Sequence, residues 1–117
     1  MSKRMTRPAI HPGEILADEL EELTITPTEL ARQLSVPANR ITQIIQGKRA
    51  ITGDTALRLG HWFGTSAQFW LNLQSAYDIK VAASLAGDEI EKLPTRLARD
   101  AVAQIERVAV LRVENSS

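Results

Sequence analysis

The chain has 117 residues, a formal net charge of zero, 44% hydrophobic and 24% charged residues, values of one small globular domain rather than a disordered chain. It has no cysteine and only His11 and His61 as histidines, which excludes a disulfide framework, a thiolate zinc site, a cysteine nucleophile and a multi-histidine metal centre. No apolar run is long enough for a bilayer and the basic start lacks the apolar core of a signal peptide, so the expected location is the cytoplasm.

Residues 1–12 hold two prolines, Lys3, Arg4 and Arg7 and no apolar periodicity, and read as a basic arm. From residue 13, Ile15, Leu16, Leu20 and Leu23 recur at helical spacing with acids between them. Thr26-Pro27-Thr28-Glu29 then supplies an N-cap, a proline for the first helical position and the acid of a capping box. This second helix is expected to run to Leu34, with Leu30, Ala31 and Leu34 inward, because Pro37 disfavours helical geometry at Val36. A third helix from about Pro37 to Gln46 carries the stripe Ile41, Ile44, Ile45 and stops at Gly47. Thr52 caps a fourth, with Leu57, Leu59, Trp62 and Phe63, ended by Gly64. Ser66 opens a fifth, in which Phe69, Trp70, Leu73 and Tyr77 form a broad face suited to the core or to a dimer interface.

After Gly87 the pattern predicts a short helix over 89–93, and then a long amphipathic one over 95–114. Leu97, Ala101, Ile105 and Val108 are its stripe, which needs either the body of its own subunit or a second chain. Arg96 and Asp100 are expected as an exposed i, i+4 pair. No stretch alternates as a strand would. The fold class is all-α: a basic arm (1–12), a helix–turn–helix domain (13–80) and a C-terminal helical extension (81–117).

The neutral total conceals a segregation of charge. Residues 13–35 carry Glu14, Asp18, Glu19, Glu21, Glu22 and Glu29 against Arg32, whereas 36–58 carry Arg40, Lys48, Arg49 and Arg58 against Asp54. No carboxylate occurs over 30–53. Such a pattern suits a polyanion, and suits a solvated charged face equally.

Residues 26–49 are the informative unit: two short helices, a tight turn, and a second helix with small or polar residues outward. With Ile41, Ile44 and Ile45 buried, a step of about 100° per residue leaves Ala38, Asn39, Arg40, Thr42, Gln43 and Gln46 outward or sideways. Asn and Gln amides match the N6/N7 edge of adenine, and arginine forks onto guanine O6/N7. Thr28 and the free N–H groups beside it suit a phosphate, and Lys48 and Arg49 suit the flanking backbone. The same geometry also serves as a packing motif that never meets DNA. His11 and Glu14 read as a cap or packing pair rather than metal ligands, and no phosphate-binding glycine loop or nucleophile elbow is present. The chain is therefore expected to be no enzyme, with no cofactor and no metal.

In chain order stand HPGEIL (11–16), TELAR (28–32), NRITQIIQGKRAIT (39–52), DTALRL (54–59) and GTSAQFWLNLQSAYD (64–78). Together they resemble the HigA/VapI-type antitoxins of the phage-repressor-like (Xre) helix–turn–helix class, over about residues 11–80. The helix–turn–helix part is common to many repressors; the HPGE start and the GTSxxFWLNLQxxYD segment are far more specific. The resemblance implies a five-helix domain, a homodimer, repression of its own operon through operator DNA, and neutralisation of a small mRNA-cleaving toxin. By position it implies that Ala38, Asn39, Arg40 and Gln43 face bases. Thr28, Thr42, Lys48 and Arg49 would hold phosphates, and Phe69, Trp70, Leu73 and Tyr77 would form the dimer interface. Pro37 and Ala38 stand where related repressors often have polar residues, which shifts specificity toward Asn39, Arg40 and Gln43. The alternatives are a stand-alone repressor without a toxin partner, and a protein-binding module.

Overall fold

A computed structural model describes residues 8–96 and 99–116, the side chains of 99–102 excepted. The described residues form α1 (Pro12–Leu23), α2 (Pro27–Leu34), α3 (Ala38–Ile45), α4 (Gly53–Phe63), α5 (Ala67–Glu91) and α6 (Arg99–Glu114), with no strand among them. The expected all-α class is what the structure has. The chain divides into two compact units, Met1–Ala86 and Gly87–Ser117.

In the first unit most local signals act as the sequence predicts, with two corrections. The Glu29 carboxylate bonds Arg32 and Gln33 instead of completing a capping box, and Thr52 precedes α4 without a side-chain cap bond. Thr26 Oγ1 accepts from the Glu29 N–H at 3.1 Å, and Pro27 occupies the first turn of α2. Ser35 turns the chain out of α2 in the left-handed region, at φ 58°, and the Val36 N–H returns to the Ala31 carbonyl at 3.0 Å. Pro37 then starts α3 in extended geometry. Gly47, at φ 76°, ends the turn after α3, where the Lys48 N–H bonds the Gln43 carbonyl at 2.8 Å. Ser66 Oγ accepts from the Phe69 N–H, as an opener of α5 should.

Leu16, Leu30, Ile41, Ile44, Ala56 and Leu59 are fully enclosed, joined by Leu20, Ala31, Leu34, Ile51 and Trp70. The start of α1 lies directly against the end of α3. A Cβ on Gly13 would overlap the Ile44 carbonyl oxygen and lie 2.9 Å from Ile45 Cα, so only glycine permits this approach. The preceding His11 is the N-cap of α1: its Nδ1 accepts from the Gly13 N–H at 2.9 Å, while Glu14 accepts from the His11 N–H. The His11–Glu14 pair thus caps α1, and among the described residues no group of three or more potential ligands can hold a metal. Buried Gln74 supplies a tie that periodicity did not indicate, accepting from the Ile51 N–H at 2.8 Å.

Two expectations about the later helices need correction. The helix opened by Ser66 does not end before Gly87; α5 runs through it to Glu91, so the separate helix over 89–93 does not exist. An interior glycine costs a helix about 1 kcal/mol relative to alanine, too little to stop one. The last helix begins at Arg99 rather than at Pro94-Thr95, which puts Arg96 outside it and removes the expected helical pair with Asp100. In α6, Ile105 and Val108 of the expected stripe are 62% and 42% exposed. The arm over residues 1–7, Leu97, and the side chains of Asp100 and Ala101 lie outside the described residues.

Candidate nucleic-acid interface

Ile41 and Ile44 turn into the core, and that fixes the rest of α3 by helical geometry. Ala38, Asn39 and, just beyond the helix, Gln46 are exposed, with Thr42 and Gln43 half-buried beside them. This face carries amides, a hydroxyl and a methyl group and no acid. Of the residues expected to meet bases, Ala38 and Asn39 are open to solvent, whereas Gln43 is held: its Oε1 accepts from Arg49 Nε at 2.9 Å. The bond joins α3 to the turn that follows and leaves the Gln43 amide group as a donor.

Arg40 lies apart from this set, half-buried at the edge of α3. Its Nη1 donates to Asp54 Oδ2 at 2.6 Å, on the first turn of α4. The same oxygen accepts from Arg58 Nε at 3.0 Å, and Arg58 also donates to the Leu34 carbonyl at the end of α2, at 2.8 Å. The two guanidiniums hold the Asp54 carboxyl below its ordinary range, Arg58 contributing most and Arg40 next. Asp54 was legible in the sequence only as the single acid of a basic stretch; its partners are not.

The residues expected at phosphates are dispersed around this face. Lys48 and Arg49 are exposed just past α3, and Thr28 is exposed on the first turn of α2. The Thr42 hydroxyl donates back to the Ala38 and Asn39 carbonyls at 3.3 and 3.4 Å, so a phosphate contact there requires it to rotate. Next to Thr28, Glu29 receives Arg32 Nε and Nη2 together with Gln33 Nε2. These bonds, Arg32 first, lower its carboxyl from an ordinary 4.5 to about 2. Gln33 Oε1 in turn accepts from Trp62 Nε1 at 2.7 Å, tying α2 to α4.

The four residues expected at a dimer interface do not form one open patch. Trp70 is 1% exposed, its Nε1 donates to Thr65 Oγ1 at 2.9 Å, and its ring packs among the core side chains; it belongs to the interior of its own subunit. Tyr77 stands edge-on to His11 at 4.8 Å, and it and Leu73 are half-buried. Phe69, at 42% exposure, is the open member.

Comparison with known proteins follows the same outline. A helix-turn-helix family model matches residues 16–70. Virulence-associated protein I of Dichelobacter nodosus is 53% identical over 76 residues, which are 64% of this chain and 70% of that protein. Among solved structures, an addiction module antidote protein of a HigA family from Coxiella burnetii superposes with a TM-score of 0.76 at 53% identity, covering 78% of this chain and all of that one. The Pseudomonas aeruginosa antitoxin HigA, solved with the higBA promoter, gives 0.73 at 48% identity, over 77% of this chain and 99% of that one. Both structural relatives are matched along essentially their whole length while about a fifth of this chain is left over.

Proposed function

Because this chain belongs to the HigA/VapI-type antitoxins, a family of helix–turn–helix proteins, we propose that it represses its own operon by binding operator DNA and neutralises a toxin encoded with it. The observation that carries the DNA half is the outward face of α3, polar, acid-free and flanked by exposed Lys48 and Arg49. Asn39 and Gln43 present amides suited to adenine, Arg40 a guanidinium suited to guanine, and Ala38 a methyl group suited to thymine. Thr28, Thr42, Lys48 and Arg49 surround them as phosphate ligands, which set register without reading sequence. The toxin half rests on the family alone, with an mRNA-cleaving ribonuclease as the expected partner. In this reading the chain is a cytoplasmic binding protein with no catalytic role. Among the described residues no helix is long and apolar enough to cross a membrane.

A homodimer completes the reading, with Phe69, Leu73 and Tyr77 on α5 as its contacts and two α3 helices set about one DNA turn apart, roughly 34–36 Å. The test is binding to the DNA upstream of its own gene at two salt concentrations, against a scrambled duplex of equal length. Tight binding that depends on sequence and falls steeply with salt is expected. Weak binding indifferent to sequence removes the repressor half. Lys48→Ala should weaken both duplexes alike and lower the salt slope by about one.

A further inference from the structure

Between Glu29 and Asp78 the sequence holds a single carboxylate, Asp54. Its Oδ2 gathers Arg40 from α3 and Arg58 from α4, and Arg58 is anchored to the last carbonyl of α2. Asp54 Oδ2 therefore joins α3 to α4, and Arg58 carries the link on to α2. With side-chain exposures of 28% and 55%, the Arg40–Asp54 pair adds little to stability, as surface ion pairs generally do. Its consequence lies in what it does to Arg40.

A guanidinium has five N–H donors in a rigid fork. Asp54 engages Arg40 through Nη1, and the donors on Nε and Nη2 remain for a bidentate contact with a base edge. An unrestrained arginine at this place on α3 would instead bind the nearest phosphate, which carries no sequence information. The carboxylate competes with the phosphates for that arginine.

We infer that Asp54 is a positioning residue for sequence readout: it orients Arg40 for a base edge and withholds it from the DNA backbone. The inference rests on the reading that α3 faces operator DNA. It makes Asp54 a determinant of the ratio between specific and non-specific binding, although Asp54 itself need touch no base.

The test uses the full chain and two duplexes, the DNA upstream of its gene and a scrambled sequence, titrated by fluorescence anisotropy over a salt series. Asp54→Asn should bind the scrambled duplex more tightly, with a salt slope steeper by about 0.9, the share of one additional phosphate. Its preference for the upstream duplex should fall about fivefold or more, the lower end of what one bidentate base contact discriminates. Asp54→Glu, which keeps the carboxylate, should restore part of that preference. On an Arg40→Ala background, Asp54→Asn should change neither slope nor preference. A wild-type slope and preference in Asp54→Asn, or an equal change on the Arg40→Ala background, overturns the inference.

Arg40→Ala alone gives a second test that does not depend on how Asp54→Asn folds. It should lose preference while its slope on the scrambled duplex stays at the wild-type value. A slope lower by about 0.9 would mean that Arg40 already holds a phosphate, and overturns the inference. A wild-type chain that shows no preference defeats the functional reading as a whole, whereas a wild-type preference left intact in Asp54→Asn defeats this inference alone.

Discussion

In the helix–turn–helix body Leu16, Leu30, Ile41, Ile44 and Leu59 are fully enclosed; in α6 Ile105, Leu111 and Val113 are 62%, 53% and 73% exposed. Both regions are helical and both are rich in branched aliphatic residues. The difference is angular. Ile41 and Ile44 of α3 lie within about 60° of one another on the helix, and α1 and α2 offer apolar residues of their own to meet them. In α6 the apolar positions 105, 108, 110, 111 and 113 are spread around much of the circumference, so no single neighbour can cover them. Helical spacing creates a helix; enclosure requires a narrow stripe and a partner within reach.

Substitutions test that contrast. The largest effect is expected at Trp70, whose removal to alanine should lower the stability of the body by about 3–5 kcal/mol in urea unfolding. Loss below about 1 kcal/mol would mean that the ring is not part of the core. Gly13→Ala should cost about 1–3 kcal/mol or more, because α1 must back away from the Ile44–Ile45 backbone; a neutral result would contradict the close approach. Gln74→Ala should cost about 1–3 kcal/mol by leaving the Ile51 N–H buried without its acceptor, and a stability equal to wild type would show that water replaces the amide.

Glu29 gives a pH signature. Its carboxyl is lowered from 4.5 to about 2 in the folded chain, so it contributes stability above pH 4.5 that is lost as pH falls toward 2. Glu29→Gln should flatten the decline of stability over that window, and an unchanged acid limb would mean that its bonds to Arg32 and Gln33 do not persist in solution. The smallest effect belongs to α6, where Val113→Glu should change the unfolding of the body by no more than about 0.5 kcal/mol. A large loss there would erase the distinction between the two regions.

The ends of α1 to α4 were legible because residues with strong local preferences mark them. Thr26 and Pro27 start α2, Pro37 precedes α3, and Gly64 ends α4. Where such marks are weak, the structure departs from the sequence pattern. The pattern after Gly87 suggests a separate helix over 89–93, yet α5 passes through that glycine to Glu91, and α6 begins at Arg99, beyond the expected Pro94-Thr95. The outward residues of α3 follow from the helical repeat with Ile41 and Ile44 in the core. Contacts between helices did not follow, since Arg40 and Asp54 stand 14 residues apart and Ile51 and Gln74 stand 23 apart. Only the crossing of the helices brings such pairs together. Trp70 shows the same limit: spacing put it on the face of α5 with Phe69 and Tyr77, and packing placed it inside.

The outer face of α3 is the surface expected to read sequence. Its most direct test is the Asn39→Ala/Gln43→Ala double variant, titrated with the DNA upstream of its own gene and with a scrambled duplex at one salt concentration. Preference for the upstream duplex should be lost, by about 1–3 kcal/mol for each amide contact removed, while the scrambled duplex binds as before. Full preference retained by the double variant would contradict that expectation.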